Sequence, residues 1–290
     1  MKLENMYKKV LTCCLLVIAS IFTVSCKGAH SKKILYVDHE PGNYHLTVPQ
    51  KHAFMEMAAE QGWEVTNLTG TDEQVVESLA ASDFAEGYDL VVYNICVAKS
   101  DNLIAAHNVI RQTEELGVPA LVIHGTLHSF WPTFKMGDTQ VPGQPAKAKT
   151  SQKLLDKWET MKPGETFPAW SRFTGIASFK HGPRKPIEIR STEVSHFITE
   201  GFKPFRSGKN SELYNNAITP QDSPNSVVLL EGYQNVNKNR VDSAAVLWEH
   251  PLGESKVVVF SLGHDMIEWQ QPEVLNIISN SVNYLLGANK

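Results

Sequence analysis

Apolar and polar positions alternate along this chain in blocks, and the blocks predict its elements. Ile34 to Val37, Trp63 to Thr66, Asp89 to Tyr93 and Ala120 to Ile123 are short runs rich in Val, Ile, Leu and aromatics, bounded by polar or turn residues. Such runs read as strands, buried on both faces where they are unbroken. Between them, Pro49 to Gly62, Asp72 to Ala81 and Leu103 to Leu116 mix apolar and charged positions at helical spacing. A β-α-β-α rhythm of this kind predicts a doubly wound, mostly parallel sheet with helices on both faces.

The rhythm stops after Phe134. Residues 136–186 are rich in proline and glycine and show no sustained alternation, apart from a helix expected over Lys153 to Met161. A long irregular stretch inside a domain predicts a functional loop or lid. Strands return at 187–189, 212–218, 226–232, 244–248 and 256–262, and a helix over Val274 to Leu286 closes the chain.

The last strand carries the first chemical signal. Val257 to Phe260 is unbroken apolar sequence that halts at Gly263 and delivers His264 and Asp265 at its tip. Ala120 to Ile123 likewise runs into His124-Gly125, with His128 close behind. Ligands of open α/β sheets bind beyond the carboxyl ends of the strands. Two histidine-tipped strands therefore point to one cleft, provided that they are neighbours in the sheet.

The N-terminus is an address. Lys8 and Lys9 precede an apolar run from Val10 to Val24, short of the roughly 20 residues a spanning helix needs. The run ends in Val24-Ser25-Cys26, which resembles a bacterial lipobox. This implies a signal peptide over residues 1–25, lipidation at Cys26, a linker over 26–32 and one domain over 33–290. The expected location is the cell envelope, lipid-anchored and facing the periplasm, since Lys27 and Gly28 begin no acidic run.

Cysteine and charge agree with that address. Of Cys13, Cys14, Cys26 and Cys96, only Cys96 would remain free in the mature domain, so no disulfide framework is expected. The chain carries net charge −4, and residues 1–25 hold three lysines against one glutamate, leaving the remainder near −6. A mildly acidic domain without a basic cluster is a poor partner for nucleic acid.

An ordered set of motifs resembles the ThuA-like (trehalose-utilisation) family, a branch of the class I glutamine amidotransferase-like fold. The motifs are Ile123-His124-Gly125, His196-Phe197-Ile198-Thr199-Glu200-Gly201-Phe202, Ser211-Glu212-Leu213-Tyr214, and Trp248-Glu249-His250 followed by Val259 to Asp265. Phe197 and Ser211 stand where that family carries proline and aspartate. The resemblance spans about residues 33–287. It implies a flavodoxin-like three-layer α/β domain. It also implies a carbohydrate context: a trehalose-type disaccharide, a glycoside or a keto-sugar.

Amidotransfer needs a thiolate nucleophile at the strand-to-helix elbow. Here that elbow is His124-Gly125-Thr126-Leu127-His128, without cysteine, and Cys96 follows a different strand. The Gly-x-Ser-x-Gly elbow and the Gly-rich phosphate loops are also missing from the sequence. The candidates for catalysis are His124, His264 and Glu212, working by acid–base chemistry or as ligands of a divalent metal such as zinc. Candidate substrate contacts are Tyr44, His45, His128, His181, Tyr214, Asp265 and Trp269, with Asn43 and Trp131 beside them. The ranking of His45 over His39 and the inclusion of His181 come from the family resemblance. Each histidine also reads as a hydrogen-bonded structural residue, and Tyr214 as core. Two functions stay open: a sugar hydrolase, lyase or isomerase, and a non-catalytic sugar-binding or complex-forming module.

Overall fold

A computed structural model describes residues 31–42 and 44–288. Cys26, Asn43 and the whole expected signal peptide lie outside the described residues. The first four strands, β1 (Lys33–Asp38), β2 (Glu64–Leu68), β3 (Leu90–Asn94) and β4 (Ala120–Ile123), alternate with helices α1 (Thr47–Gln61), α2 (Asp72–Leu79) and α3 (Leu103–Glu114). Their ends have local causes. Thr71 and Gln74 form a reciprocal capping box at the start of α2, and Asn102 caps α3. Gly62 closes α1 at φ 72°, where a side chain would be strained.

The remaining strands are β5 (Thr139–Gln140), β6 (Lys149–Thr150), β7 (Ala177–His181), β8 (Glu188–Ser191), β9 (Phe205–Arg206), β10 (Tyr214–Ile218), β11 (Val227–Asn237), β12 (Arg240–Leu252) and β13 (Ser255–Phe260). The helices are α4 (Gln152–Met161), α5 (Trp170–Thr174), α6 (Met266–Trp269) and α7 (Pro272–Leu285). The main sheet has nine strands in the order β2-β1-β3-β4-β13-β12-β11-β8-β9. Its first five are parallel and carry the flavodoxin-like order. The last four extend it antiparallel, built around the long hairpin of β11 and β12.

Strand residues divide between two cores by the period of two. Leu35, Val37, Val91, Tyr93, Val122, Val257 and Val259 face α2, α3, α4 and α5. Ile34, Tyr36, Leu90, Val92, Leu121, Ile123, Val258 and Phe260 face α1 and α7. That is why these strands read as unbroken apolar runs.

The segment 136–186 corrects the sequence reading. It is no lid: Val141, Ala148, Leu154, Trp158, Phe167, Trp170 and Phe173 are buried in the first core. Its indoles are anchored, Trp158 Nε1 donating to the Glu165 carbonyl and Trp170 Nε1 to the Thr126 carbonyl. The segment ends as β7, which pairs with β10 in a separate two-stranded sheet. The strand expected from Glu212 begins at Tyr214, so Glu212 sits on the approach to it. No helix among the described residues is long and apolar enough to cross a membrane.

Candidate functional site

The two histidine-tipped strands are neighbours. β4 and β13 pair in parallel with Phe260 opposite Ile123, so His124 and His264 leave the same edge of the sheet side by side. His124 has φ 36°, in the left-handed region that costs a bulky residue about 1–3 kcal/mol. This bend opens the turn His124–His128. His124 Nδ1 lies 2.7 Å from the Ser261 carbonyl on β13's exit. A carbonyl only accepts, so Nδ1–H donates and Nε2 faces the cleft.

Around that Nε2 four groups converge. The Tyr214 hydroxyl lies at 3.1 Å, His264 Nδ1 at 3.3 Å and Glu212 Oε2 at 3.6 Å. Glu212 Oε2 is also 3.4 Å from His264 Nδ1. The His45 ring, from the loop between β1 and α1, stands edge-on to both, its centroid 4.8 Å from His124 and 5.1 Å from His264. One ring nitrogen from each of the three histidines lies within 4.8 Å of the others. Among the described residues, the buried His45 Nδ1 has no hydrogen-bond partner. A buried polar atom left unsatisfied costs about 1–3 kcal/mol.

Electrostatics follow from burial. His45 is pushed down to about 2 by burial, then by the neighbouring histidines. His264 is pushed down to about 4, first by burial and then by His124. Both rings are therefore neutral near pH 7. Burial drives Glu212 up, but His124, His264 and His181, which become charged as pH falls, outweigh it and hold the carboxyl well below the usual range. Glu212 Oε1 accepts from Arg184 Nε at 2.9 Å, and His181 Nε2 lies 3.5 Å from it. Tyr214 is raised well above an ordinary phenol by burial, so it keeps its proton.

The turn carrying His264 is held from behind. Glu268 Oε2 accepts the backbone N–H groups of Gly263 at 2.9 Å and His264 at 2.6 Å. Gln50 Nε2 and Trp269 Nε1 both donate to the Gly263 carbonyl. On the other side, Gly125 leaves room for His45: a Cβ there would lie 2.6 Å from His45 Cδ2 and 3.1 Å from Cys96 Cβ. Cys96 is buried, and its thiol is pushed up to about 12, chiefly by burial. It has no thiolate character to offer.

The family model for ThuA, trehalose utilisation, matches residues 33–285. The chain belongs to the ThuA family. Among solved structures, the ThuA-like protein of Parabacteroides merdae is similar with TM-score 0.60 and 12% identity, over 88% of this chain and 90% of that one. The ThuA-like protein of Bacteroides uniformis gives 0.59 and 12%, over 89% and 93%. A cytoplasmic protein of Salmonella typhimurium gives 0.51 and 13%, over 87% and 99%. At these identities the likeness is one of fold. No curated protein matches the chain.

Within this ThuA domain the sequence candidates fall into three groups. His124, His264, Glu212, His45 and Tyr214 meet in the cluster. His128 and His181 adjoin it, His128 stacked on the Tyr214 ring at 3.9 Å and His181 exposed beside Glu212. Tyr44 is 47% exposed in the loop that carries His45.

Trp269 and Asp265 take other places. Trp269 is 1% exposed and packs in the second core, so it offers no face to a sugar. Asp265 Oδ1 accepts the N–H groups of Ile267 and Glu268 and caps α6. Trp131 is half-buried under the Lys135 ammonium, 3.3 Å from its ring centre. Sequence reasoning missed Arg184, Glu268 and the Ser261 carbonyl. Only Glu268 left a trace, as a carboxylate four residues beyond the histidine it holds.

Proposed function

We propose that this ThuA domain is a carbohydrate-processing enzyme that works by proton transfer at His264, His124 and Glu212. The observation that supports this most is the convergence of the second strand-tip histidine, His264, a buried, ionised Glu212 carboxylate and the Tyr214 hydroxyl around His124 Nε2. His264 is neutral near pH 7 and only partly buried, so it can take a proton from a bound sugar. Glu212, fixed by Arg184, stabilises the imidazolium that forms. The Tyr214 hydroxyl keeps His124 oriented from one side, while the Ser261 carbonyl does so from the other.

Proton removal beside a carbonyl is the step shared by lyase and isomerase chemistry on keto-sugars. That substrate class therefore suits the cluster best, ahead of trehalose-type disaccharides and simple glycosides. The buried, protonated Cys96 argues against amidotransfer.

The test is a panel of keto-sugars, disaccharides and glycosides followed by product analysis, for wild type and His264→Ala. Placed proton transfer is worth about 10²- to 10⁴-fold in rate, and the variant should lose that much. Unchanged turnover removes His264 from the mechanism. Saturable sugar binding without turnover on any class would make the domain a binding module instead.

The same reading gives the protein an envelope address, lipid-anchored through Cys26 and facing the periplasm. Val24-Ser25-Cys26 after the apolar run supports it. Labelled palmitate should enter the wild-type protein and not Cys26→Ala, and equal labelling of both, or of neither, refutes the anchor.

A further inference from the structure

We propose that His45, His124 and His264 bind one divalent transition metal, zinc by preference. As a cofactor site this rests on the sugar chemistry proposed above, with Glu212 left to carry the proton because the metal would hold His124 and His264; as a binding site it does not.

The argument is geometric. Zinc holds imidazole nitrogens at about 2.0–2.1 Å in a tetrahedron, which sets neighbouring nitrogens about 3.4 Å apart. His124 Nε2 and His264 Nδ1 are already 3.3 Å apart. The third ring has a nitrogen within 4.8 Å of both, so His45 has to draw closer to complete the set. Metal-bound histidines regularly donate their other N–H to a carbonyl or carboxylate, which fixes the tautomer. His124 does so to the Ser261 carbonyl at 2.7 Å.

His45 supplies an independent sign. Among the described residues its buried Nδ1 has no partner, although the Thr47 hydroxyl donates to the His39 carbonyl and His39 Nε2 accepts the Cys96 N–H beside it. Gly125 gives this ring its space and so keeps the three histidines together. A donor set of three imidazoles suits zinc, with iron, nickel and copper as competitors, and excludes calcium and magnesium, which take oxygen. Glu212 and Tyr214 border the remaining direction of approach. A metal here would supply Lewis-acid polarisation of a sugar oxygen.

The test uses the full chain without a histidine tag. It is stripped with a chelator and titrated with zinc against a chromophoric competitor, then with cobalt(II) to read the ligand-field bands of tetrahedral coordination. One equivalent should bind. His45→Ala, His124→Ala and His264→Ala should each weaken binding by at least about 100-fold, since losing an outer-shell partner alone costs 10–100-fold. His107→Ala, in a remote half-buried position, should bind like wild type. Circular dichroism identifies any variant that fails to fold, and the wild-type stoichiometry stands apart from all of them. Failure of the wild type to bind, or equal binding by a folded His45→Ala, overturns the site. Metal binding without sugar turnover would sink the enzymatic reading and leave the metal site; turnover that survives complete chelation would overturn the metal's role as cofactor and leave the enzymatic reading.

Discussion

Gly125→Ala is the sharpest small perturbation of this site. The glycine needs no unusual backbone angle, so the added methyl acts by contact alone. It would meet His45 Cδ2 at 2.6 Å, His45 Nε2 at 2.9 Å and Cys96 Cβ at 3.1 Å. Carbon atoms in good contact sit at about 3.5–4.0 Å, so His45 has to retreat by roughly 1 Å. Retreat moves it away from His124 and His264. Misplacement on that scale costs on the order of 100-fold in rate, and overpacking costs about 1–3 kcal/mol of stability. For a domain of this size the stability loss amounts to roughly 2–12 °C in Tm. Turnover on the responsive sugar, zinc affinity and Tm should therefore all fall in Gly125→Ala. In a His45→Ala background the same change should cost far less, because the ring it strikes is gone. A Gly125→Ala protein with wild-type turnover and zinc affinity would refute the placement of His45 against this turn.

Glu268→Ala leaves the buried N–H groups of Gly263 and His264 without their acceptor, a loss of about 1–3 kcal/mol for each unsatisfied group, measured by thermal melting. Glu268→Gln keeps an accepting oxygen and should recover most of it; equal damage from both would show that this acceptor is not what matters. Cys96→Ala should retain sugar turnover and zinc binding, since its thiol is buried and protonated, and loss of turnover in a folded variant would restore a nucleophilic cysteine. His128 and His250 are both held below their ordinary value, first of all by burial. An unfolded histidine titrates near 6.5, so below that pH the unfolded chain takes up protons that the folded one refuses. Their stabilising contribution is thus complete above about pH 6.5 and is lost as pH falls further; Tm should drop from pH 7.5 to 5 and hold between 7.5 and 8.5. The drop should shrink in His250→Gln, and a Tm that is flat down to pH 5 would contradict the buried neutral rings.

What the sequence reveals and what it hides follow from how burial is achieved. β1, β3, β4 and β13 are covered on both faces, so they appear as unbroken apolar runs, and their tips announce His124 and His264. The segment 136–186 is buried as well, but by single large side chains such as Trp158, Phe167 and Trp170 spread over short elements. Isolated aromatics carry no period, so folded chain resembled a loop. Tyr214 is both things alternation allowed: its ring is core and its hydroxyl meets His124. Asp265 and Trp269 look like ligands because they follow His264, yet Asp265 Oδ1 caps the next helix and the Trp269 indole N–H is held by the Gly263 carbonyl. Arg184 reaches Glu212 from a stretch with no pattern, and only the fold brings them together.

The site's two central histidines are 140 residues apart in the chain, joined by one strand inserted late between β4 and β12. During synthesis His45 and His124 emerge early, with the edge of β4 still unpaired, and remain incomplete until β13 arrives with the last tenth or so of the chain. Long-range parallel pairing is slow to form, and an open edge invites wrong partners meanwhile. The cluster therefore cannot form in part. The docking of β13 covers the edge of β4 and brings His264 to His124 in one event, so a chain cut short before His264 lacks the cluster as well as the turn that carries it.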